Sequence, residues 1–300
     1  NESAQFIKEN RHQPFILYVN FFEPHPPFSG PFNNLHNRDN LNTGPHFFKK
    51  PACNASLYHR ARSTAPFPDV TGKEEWLQCE ELDLSTESGW REMRARYFGN
   101  ISLVDQAVGK ILKALDENDL SENTIVVFTS DHGEMMGDHG IQGKGVLYEE
   151  SVKVPLIARV PEISKEGKVL EGRVSLVDLV PTLLDLMGEP IPTELDGESR
   201  TDVMRGESTL KNNDVFIQWN EPDQSDLPQS TWRSIVSSDG WKLNLSPADQ
   251  CELYNLNNDP HEQVNLYDDH HQKNRIDDLK YRIIEWQKRV GDKTDLLSIL

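Results

Sequence analysis

The sequence predicts an α/β fold in which a mostly parallel sheet is flanked by helices and followed by a small antiparallel β plus helix subdomain. Apolar runs of strand length occur at residues 14–22, 124–129 and 154–159, and segments with helical periodicity occur along the same part of the chain. Strands that alternate with helices are typical of a parallel sheet. The composition changes near residue 230, where short alternating segments and turn residues begin. We therefore expect two domains, at residues 1–230 and 231–300.

The first predicted strand, residues 14–22, is a run of apolar, aromatic and β-branched residues with the length of a buried strand. It ends at residues 23–27, where three prolines exclude regular structure. Residues 28–90 are rich in Asn, Pro, Gly and His and have weak periodicity, so we expect a long irregular loop over the surface. Loops of this length in compact domains are usually functional or disordered.

Two helices are predicted from the spacing of apolar residues. Residues 90–115 carry apolar side chains at helical spacing and precede the predicted strand at 124–129. Residues 176–187 show the same spacing, and Pro181 marks either the first turn of this helix or a kink.

The predicted C-terminal subdomain begins with a hairpin. Residues 231–236 and 241–245 have alternating apolar positions on either side of a turn that contains Gly240. A short strand at residues 252–256 follows, and apolar residues at helical spacing between 276 and 286 predict a last helix.

The net charge excludes some classes of binding partner, and the cysteine content limits the number of disulfides. The 300 residues include 31 Lys+Arg and 49 Asp+Glu, a net charge of -18 that repels polyphosphate and anionic lipid. We therefore expect neither nucleic acid nor a membrane surface as a partner. No apolar run approaches the roughly 20 residues that span a bilayer. Cys53, Cys79 and Cys251 form an odd set without a C-x-x-C pair, so at most one disulfide is expected.

The sequence Ser130-Asp131-His132-Gly133 directly follows a predicted strand, at the end of the sheet where α/β proteins bind ligands. Because adjacent side chains point to opposite faces of a strand, Ser130, Asp131 and His132 cannot converge as a catalytic triad. Asp131 and His132 can both face one ion where the backbone leaves the sheet. Further oxygen ligands would favour a hard cation, and further imidazoles would favour zinc. The alternative is that Asp131 caps a helix and His132 is a surface turn residue.

A glycine-dense loop follows, and it contains His139 and Lys144. Glycines allow the backbone to approach a ligand closely, and a lysine ammonium is suited to a tetrahedral oxyanion. The alternative is an ordinary solvated lysine. His25 lies in a Pro-His-Pro-Pro turn, where its imidazole could donate to an anion or protonate a leaving group. Its alternative is a loop histidine packed on Phe22 or Phe28.

The order of these motifs resembles the type I sulfatases of the alkaline phosphatase superfamily, over about residues 5–290. The motifs are Pro14-Phe15-Ile16-Leu17-Tyr18-Val19, Pro24-His25-Pro26-Pro27-Phe28, residues 123–133, Gly137-Asp138-His139-Gly140, Gly143-Lys144, Tyr148-Glu149-Glu150-Ser151, Val154-Pro155-Leu156-Ile157, residues 178–184 and residues 252–260. The resemblance implies an alkaline phosphatase-like sheet and sulfate ester hydrolysis with one calcium ion. It implies that Asp131 and His132 bind calcium, that Lys144 holds the sulfate, and that His25 contacts the sulfate and assists the leaving oxygen. The role of His139 stays open.

The family's nucleophile is a formylglycine made from Cys or Ser in a Cys-x-Pro-Ser-x-Arg-like motif. This motif, two further Asp ligands and a second Lys/His pair should precede the strand before His25, and none of them is present. We therefore expect the formylglycine upstream of residue 1 and expect residues 1–300 alone to be inactive. Residues 53–57, with Cys53, resemble the motif only superficially, since they follow His25, lack the arginine and lie in an expected irregular loop.

The resemblance leaves several alternatives open. The expected substrate is a sulfated sugar or aryl compound, a small molecule or a glycan. A phosphonate or phosphodiester hydrolase of the same superfamily is one alternative, and a non-catalytic sulfate- or sugar-binding protein is another. Members of the family typically occur in the periplasm, outside the cell or in lysosomes. In a secreted eukaryotic protein, Asn54 and Asn100 would be candidate N-glycosylation sites.

Overall fold

The computed structural model describes residues 2–63, 81–163, 165–211, 213–220 and 231–296. The elements are α1 (Glu2–Asn10), α2 (Leu57–Arg62), α3 (Glu87–Glu117), β1 (Val126–Thr129), α4 (Glu149–Val152), β2 (Leu156–Arg159), α5 (Leu179–Leu186), α6 (Thr201–Arg205), β3 (Val215–Asn220), β4 (Thr231–Val236), β5 (Trp241–Leu245), β6 (Glu252–Asn255) and α7 (Lys273–Val290). Short 3-10 helices lie at Arg38–Asn40, Ser121–Asn123, Leu176–Asp178 and His270–Gln272.

The chain forms two compact units that are interleaved along the sequence. The first unit consists of residues 1–50, 64–144 and 153–166, and the second of residues 51–63, 145–152 and 167–300. The expected domains, 1–230 and 231–300, stay a prediction. In the second unit, β3 pairs with β4 in one sheet, so the strands of this sheet begin before residue 231.

Helix α3 is the central element of the first unit, and it confirms the helix predicted at residues 90–115. It begins after Thr86, whose hydroxyl accepts a hydrogen bond from the Gly89 N–H. Its N-terminal part contributes to an apolar cluster that contains Phe28, Phe47, Leu84, Trp90, Met93 and Met136. Its C-terminal part packs Ala114 and Leu115 on Ile7 of α1. Burial of each large apolar side chain contributes about 1.5–3 kcal/mol.

Residues 14–22 are extended, but they are not the predicted sheet strand. Phe15 and Leu17 pack against the cluster around Ile7, whereas Ile16 and Tyr18 are 81% and 87% exposed. This alternation is that of an extended chain, yet the described residues offer no neighbouring strand to form a ladder. The described strands of this unit, β1 and β2, pair antiparallel, with Thr129 opposite Leu156. The predicted parallel pairing is therefore not seen between these two strands, and in the described part of the chain it occurs as the bridge between Gly172 and Leu210.

The second unit has a four-stranded antiparallel sheet in the order β3-β4-β5-β6. The predicted hairpin corresponds to β4 and β5, the predicted short strand to β6, and the predicted last helix to α7. Gly240, with φ +91°, lies in the hairpin turn, where a positive φ favours glycine. The apolar face of the sheet, with Ile235, Leu243 and Leu253, shares one core with Leu279 of α7.

The helix predicted at residues 176–187 is a 3-10 turn followed by α5. Pro181 is the third residue of α5 and therefore lies in its first turn, as one of the two interpretations predicted. A proline is tolerated there because the first N–H groups of a helix have no partner within it.

Several charged side chains are buried inside the second unit. Glu252 is fully buried, and its Oε1 lies 2.8 Å from Nδ1 of His59 and accepts the Ser56 N–H. Lys242 and Glu262 are also buried. Cys53 and Cys251 are free thiols, and Cys79 lies outside the described residues. In the described part of the chain, no helix has the length and apolar character needed to cross a membrane.

Candidate active site

The residues from Ser130 to His132 leave the end of β1 as an irregular turn. The Asp131 side chain is 83% exposed, and its Oδ1 accepts the N–H of His132 at 3.0 Å. Ser130 Oγ lies 2.9 Å from the carbonyl oxygen of His132 and stabilises the turn. The next helix along the chain, α4, begins at Glu149. Asp131 therefore does not cap a helix, and this part of the alternative interpretation is wrong, whereas His132 does lie in a turn with its side chain 39% exposed.

The two predicted calcium ligands present acceptor atoms to each other. His132 Nδ1 lies 2.8 Å from the Gly133 carbonyl oxygen, which can only accept, so this nitrogen carries the proton. When the ring is neutral, the other ring nitrogen, Nε2, has a lone pair, and it lies 3.5 Å from Asp131 Oδ2. Two acceptors this close to each other suit a cation between them.

The donor set fits calcium only as part of a larger site. Calcium takes about six to eight ligands, mostly oxygens. Among the residues with described side chains, no third His, Cys, Asp or Glu atom forms a three-residue group with Asp131 and His132. Partial burial raises the pKa of Asp131, but the charge of a protonated His132 and the His132 N–H lower this pKa below its ordinary value. The carboxylate is therefore ionised at neutral pH.

The glycine-dense loop folds back on itself. The Met135 N–H donates to the Gly143 carbonyl oxygen and the Gly137 N–H to that of Ile141, each at 2.9 Å. At the tip, His139 has φ +52° and Gly140 φ +62°. The two hydrogen bonds form a narrow hairpin, hereafter the site hairpin (residues 133–144), which begins after His132 and ends at Lys144.

Glu134 fastens the two ends of the site hairpin together. Its Oε1 accepts the Gly143 N–H at 2.6 Å and lies 3.4 Å from the Met136 nitrogen. Burial raises the pKa of Glu134, while these two N–H groups and the charges of Lys144 and His132 oppose the rise. The carboxylate thus lies within electrostatic reach of both Lys144 and His132. This role has no signature in residue type, since the partner of Glu134 is nine residues away and contributes only a backbone N–H.

His25 has an imidazole whose orientation is fixed by its own turn. Nδ1 lies 2.9 Å from the carbonyl oxygen of Pro26, so it donates and leaves Nε2 to accept or exchange a proton. The ring is exposed and lies 4.8 Å from the ring of Phe22, as the packing interpretation predicted. The structure shows no hydrogen bond or ion pair between His25 and Asp131 or His132.

Helix α3 contacts both the turn of His25 and the site hairpin. Asn100 Nδ2 lies 3.4 Å from the Pro27 carbonyl oxygen, and the Tyr97 ring makes an edge-to-face contact with Phe28 at 5.9 Å. One turn earlier, Arg94 Nη2 donates to Asp138 Oδ2 of the hairpin at 2.7 Å. Residues spaced three apart share one side of a helix, so one helix surface holds both segments.

His139, whose role the sequence left open, is buried at the tip of the site hairpin. Its ring centroid lies 4.7 Å from that of His46, and its N–H donates to the His46 carbonyl oxygen at 3.0 Å. His46 Nε2 lies 3.6 Å from Asp138 Oδ1. With Arg94 these residues form a buried polar group that anchors the tip. A clue in the sequence was the arginine beside apolar residues of the predicted helix.

Residues 53–57 carry the superficial nucleophile motif and one of the two sequons. Contrary to expectation, they lead into a helix: Ser56 caps α2, and its hydroxyl accepts the His59 N–H at 3.1 Å. Asn54 Nδ2 donates to the Asn265 carbonyl oxygen at 2.9 Å. Asn100, in the second sequon, is 2% exposed. Both amides are therefore engaged within the fold.

Two family models match the chain. The sulfatase model matches residues 1–189, and the model for the C-terminal part of N-sulphoglucosamine sulphohydrolase matches residues 137–289. Among curated relatives, an arylsulfatase of Clostridium perfringens (strain 13 / Type A) is 28% identical, covering 95% of this chain and 56% of its own length. Arylsulfatase K of Xenopus laevis is 30% identical, with 95% and 54% covered. The multifunctional alkaline phosphatase superfamily protein PehA of Trinickia caryophylli is 26% identical, with 96% and 58% covered.

Solved structures show a similar fold. The phosphonate monoester hydrolase of Silicibacter pomeroyi superposes with a TM-score of 0.79 at 24% identity, over 97% of this chain and 60% of its own. This likeness confirms the predicted fold class. BT4656, solved with its substrate D-glucosamine-2-N,6-O-disulfate, has a TM-score of 0.64 at 26% identity, over 70% and 44% of the two chains.

The matches extend over nearly the whole of residues 1–300, while the chain spans about half the length of the curated relatives it matches. The resemblance that the motifs indicated is thereby confirmed. This chain belongs to the sulfatase family.

Proposed function

We propose that the protein containing this chain hydrolyses sulfate esters, with a sulfated sugar or an aryl sulfate as substrate. One observation carries the proposal: the Asp131–His132 acceptor pair lies at one end of the site hairpin and Lys144 at the other. Hydrogen bonds of Glu134 and Met135 with Gly143 hold these two ends together. A cation site beside a lysine suits a tetrahedral dianion or monoanion.

Asp131 and His132 would hold a calcium ion, whose charge would stabilise the oxygens of the sulfate as the ester bond breaks. The other calcium ligands and a formylglycine nucleophile belong, in this proposal, to a segment upstream of residue 1. Its support is the family match together with the lack of a Cys-x-Pro-Ser-x-Arg-like motif within residues 1–300.

The residues of this chain have separate roles in the proposed reaction. The Lys144 ammonium binds sulfate oxygens and neutralises part of their charge. The Pro26 carbonyl oxygen holds His25 Nδ1 as a donor, so His25 donates to the leaving oxygen from Nε2 in its doubly protonated form and is left as the neutral ring. Neutralisation and proton donation act on opposite ends of the breaking S–O bond, which lowers the cost of charge transfer to the leaving group.

Two comparisons support a sulfated sugar as the substrate class. The C-terminal model that matches residues 137–289 is that of N-sulphoglucosamine sulphohydrolase, and BT4656 was solved with a disulfated glucosamine. By the family's usual distribution, we place the protein in the periplasm, outside the cell or in lysosomes.

A phosphonate or phosphodiester hydrolase is the second candidate, favoured by the likeness to phosphonate monoester hydrolases. A panel of p-nitrophenyl sulfate, glucosamine sulfates, a phenylphosphonate ester and a phosphodiester separates the two. Sulfate ester turnover that exceeds phosphonate turnover supports the main proposal, and the reverse ranking supports the second candidate.

The decisive experiment replaces Asp131 with Ala in the full-length protein. We expect turnover of the sulfate ester to be lost and calcium binding, measured by calorimetry, to weaken. Asp105→Ala, on an exposed position of α3, serves as the control and should change neither quantity. Sulfate hydrolysis that survives Asp131→Ala contradicts the proposal. Tight calcium binding by residues 1–300 alone contradicts the upstream ligands and favours a non-catalytic binding protein.

A further inference from the structure

Glu134 is the one carboxylate that links the two ends of the site hairpin. It accepts the N–H of Gly143, the residue directly before Lys144, at 2.6 Å, which is short for a nitrogen donor. On its other side, only Gly133 separates it from His132. A single side chain thus connects Gly143 to the turn after β1, where the proposed calcium ligands lie. Gly143 directly precedes Lys144, the residue proposed to hold the sulfate.

Other contacts of the hairpin do not substitute for this link. The Met135 N–H donates to the Gly143 carbonyl oxygen. This hydrogen bond holds the peptide group between Gly143 and Lys144 but leaves the Gly143 N–H to Glu134. The buried group of Arg94, Asp138 and His46 holds the hairpin tip, four or more residues from Lys144. Gly143 has φ +80° and no side chain to pack, so the hydrogen bond to Glu134 restricts its conformation directly.

The carboxylate also acts through charge. Glu134 interacts electrostatically with both Lys144 and His132. An acceptor with a negative charge forms a stronger hydrogen bond than a neutral one, and it attracts the lysine ammonium toward the hairpin end.

We propose that Glu134 is a positioning residue, which holds Gly143 and thereby fixes Lys144 at the correct distance from Asp131 and His132. The inference rests on the proposed function, since it assigns Lys144 to the sulfate. Glu134 does not contact the substrate in this scheme. A displacement of about 1 Å at a group that binds the reacting substrate costs on the order of 100-fold in rate.

The experiment compares Glu134→Ala and Glu134→Gln in the full-length protein. Gln keeps an oxygen that accepts the Gly143 N–H, whereas Ala removes the acceptor. We expect kcat/KM for p-nitrophenyl sulfate to fall about 100-fold in Glu134→Ala and less than about tenfold in Glu134→Gln. Leu115→Ala, which destabilises the other end of α3 in a separate cluster, is the control for a general loss of stability. It should leave kcat/KM within about threefold of the wild-type value.

Two measurements do not depend on the reaction. Hydrogen exchange at Gly143 should become about tenfold faster in Glu134→Ala but not in Leu115→Ala. Reductive methylation, followed by mass spectrometry, should modify Lys144 faster in Glu134→Ala than in Glu134→Gln.

The outcomes separate this inference from the proposed function. Unchanged exchange at Gly143 in Glu134→Ala, or an equal fall of kcat/KM in Leu115→Ala, overturns the positioning role. If the wild-type protein cleaves only phosphonate esters, the proposed function fails, and the same comparison is made with that substrate. If it cleaves none of these esters, the exchange and methylation rates alone decide whether Glu134 positions Lys144.

Discussion

Lys242 Nζ lies 2.9 Å from Glu262 Oε1, and neither side chain is exposed to solvent. Glu149 Oε1 lies 3.1 Å from the same ammonium, so the Lys242 charge lies between two carboxyl groups. Burial of an unpaired charge is costly, whereas a paired charge with good hydrogen bonds is tolerated. The arrangement therefore requires all three groups for its stability.

Lys242→Met should destabilise the protein strongly. The apolar side chain has a similar length but leaves the carboxyl groups of Glu149 and Glu262 without their ammonium partner, a loss of about 3–5 kcal/mol in the free energy of unfolding. Urea unfolding at pH 7 measures it. Lys273→Met is the control, since Lys273 pairs with Asp277 in an exposed ion pair that contributes about 0.3–0.5 kcal/mol. Equal losses in the two variants would show that the group of Lys242, Glu149 and Glu262 contributes no more to stability than an exposed ion pair.

The same group predicts a pH dependence. Burial raises the pKa of Glu262 to about 8, although Lys242 opposes the rise and the charge of Glu149 adds to it. The ordinary value is 4.5. Because the folded-state pKa is the higher one, the contribution of Glu262 to stability is fully present below pH 4.5 and is lost as pH rises toward 8. Urea unfolding between pH 5 and 9 should show this decline.

Glu262→Gln is the variant that tests this assignment. Because Gln cannot ionise, the decline of stability with rising pH should be shallower in Glu262→Gln than in the wild-type protein. A parallel pair of curves would mean that another group causes the pH dependence.

Two glycines of α3 should respond to alanine in opposite directions. A Cβ at Gly99 would lie 2.5 Å from the Phe32 carbonyl oxygen, so the backbone must shift, which costs about 1–3 kcal/mol. A Cβ at Gly109 meets no heavy atom within 4 Å, and Gly109→Ala should stabilise by about 0.5–1 kcal/mol. Thermal unfolding of both variants measures the difference. An unaffected Gly99→Ala would contradict the close approach of Phe32 to Gly99. A destabilised Gly109→Ala would contradict the open space at Gly109.

His25→Ala should affect esters with poor leaving groups most. If His25 protonates the leaving oxygen, its loss should lower kcat by about 10²–10⁴ for an alkyl or sugar sulfate. The effect should be much smaller for p-nitrophenyl sulfate, whose phenolate leaves without a proton. The measurement is the ratio of the two rates in the full-length protein. An equal loss for both esters would assign His25 to sulfate binding instead.

Helices α3, α5 and α7 and strands β4, β5 and β6 were predictable because local patterns determine them, whereas β3 was not predicted. The long apolar periodicity of α3 and the alternation around Gly240 describe elements whose partners are close in sequence. Residues 14–22 show where this reasoning ends. Their composition predicts an extended chain, but whether they join a sheet depends on neighbours that the residue pattern does not specify.

The candidate site was predictable to the level of residue types. Asp131, His132, Lys144 and His25 stood out because their chemistry is unusual for turns. Their roles stay predictions. The role of Glu134 was not predictable, because it depends on a hydrogen bond to a backbone N–H nine residues away. Such contacts have no signature in residue type. The buried pairing of Arg94 with Asp138 was missed because the two residues are 44 apart in the sequence.

The exposed side of residues 14–22 has a consequence for how molecules of this chain behave in solution. Ile16 and Tyr18 stand on an extended backbone whose described residues form no ladder, a combination that favours pairing with an identical segment of another molecule. The net charge of -18 opposes such encounters. This repulsion acts over about 10 Å at 0.1 M salt and shrinks as salt is added. The acidic composition therefore opposes self-association of this chain, and self-association should increase with ionic strength.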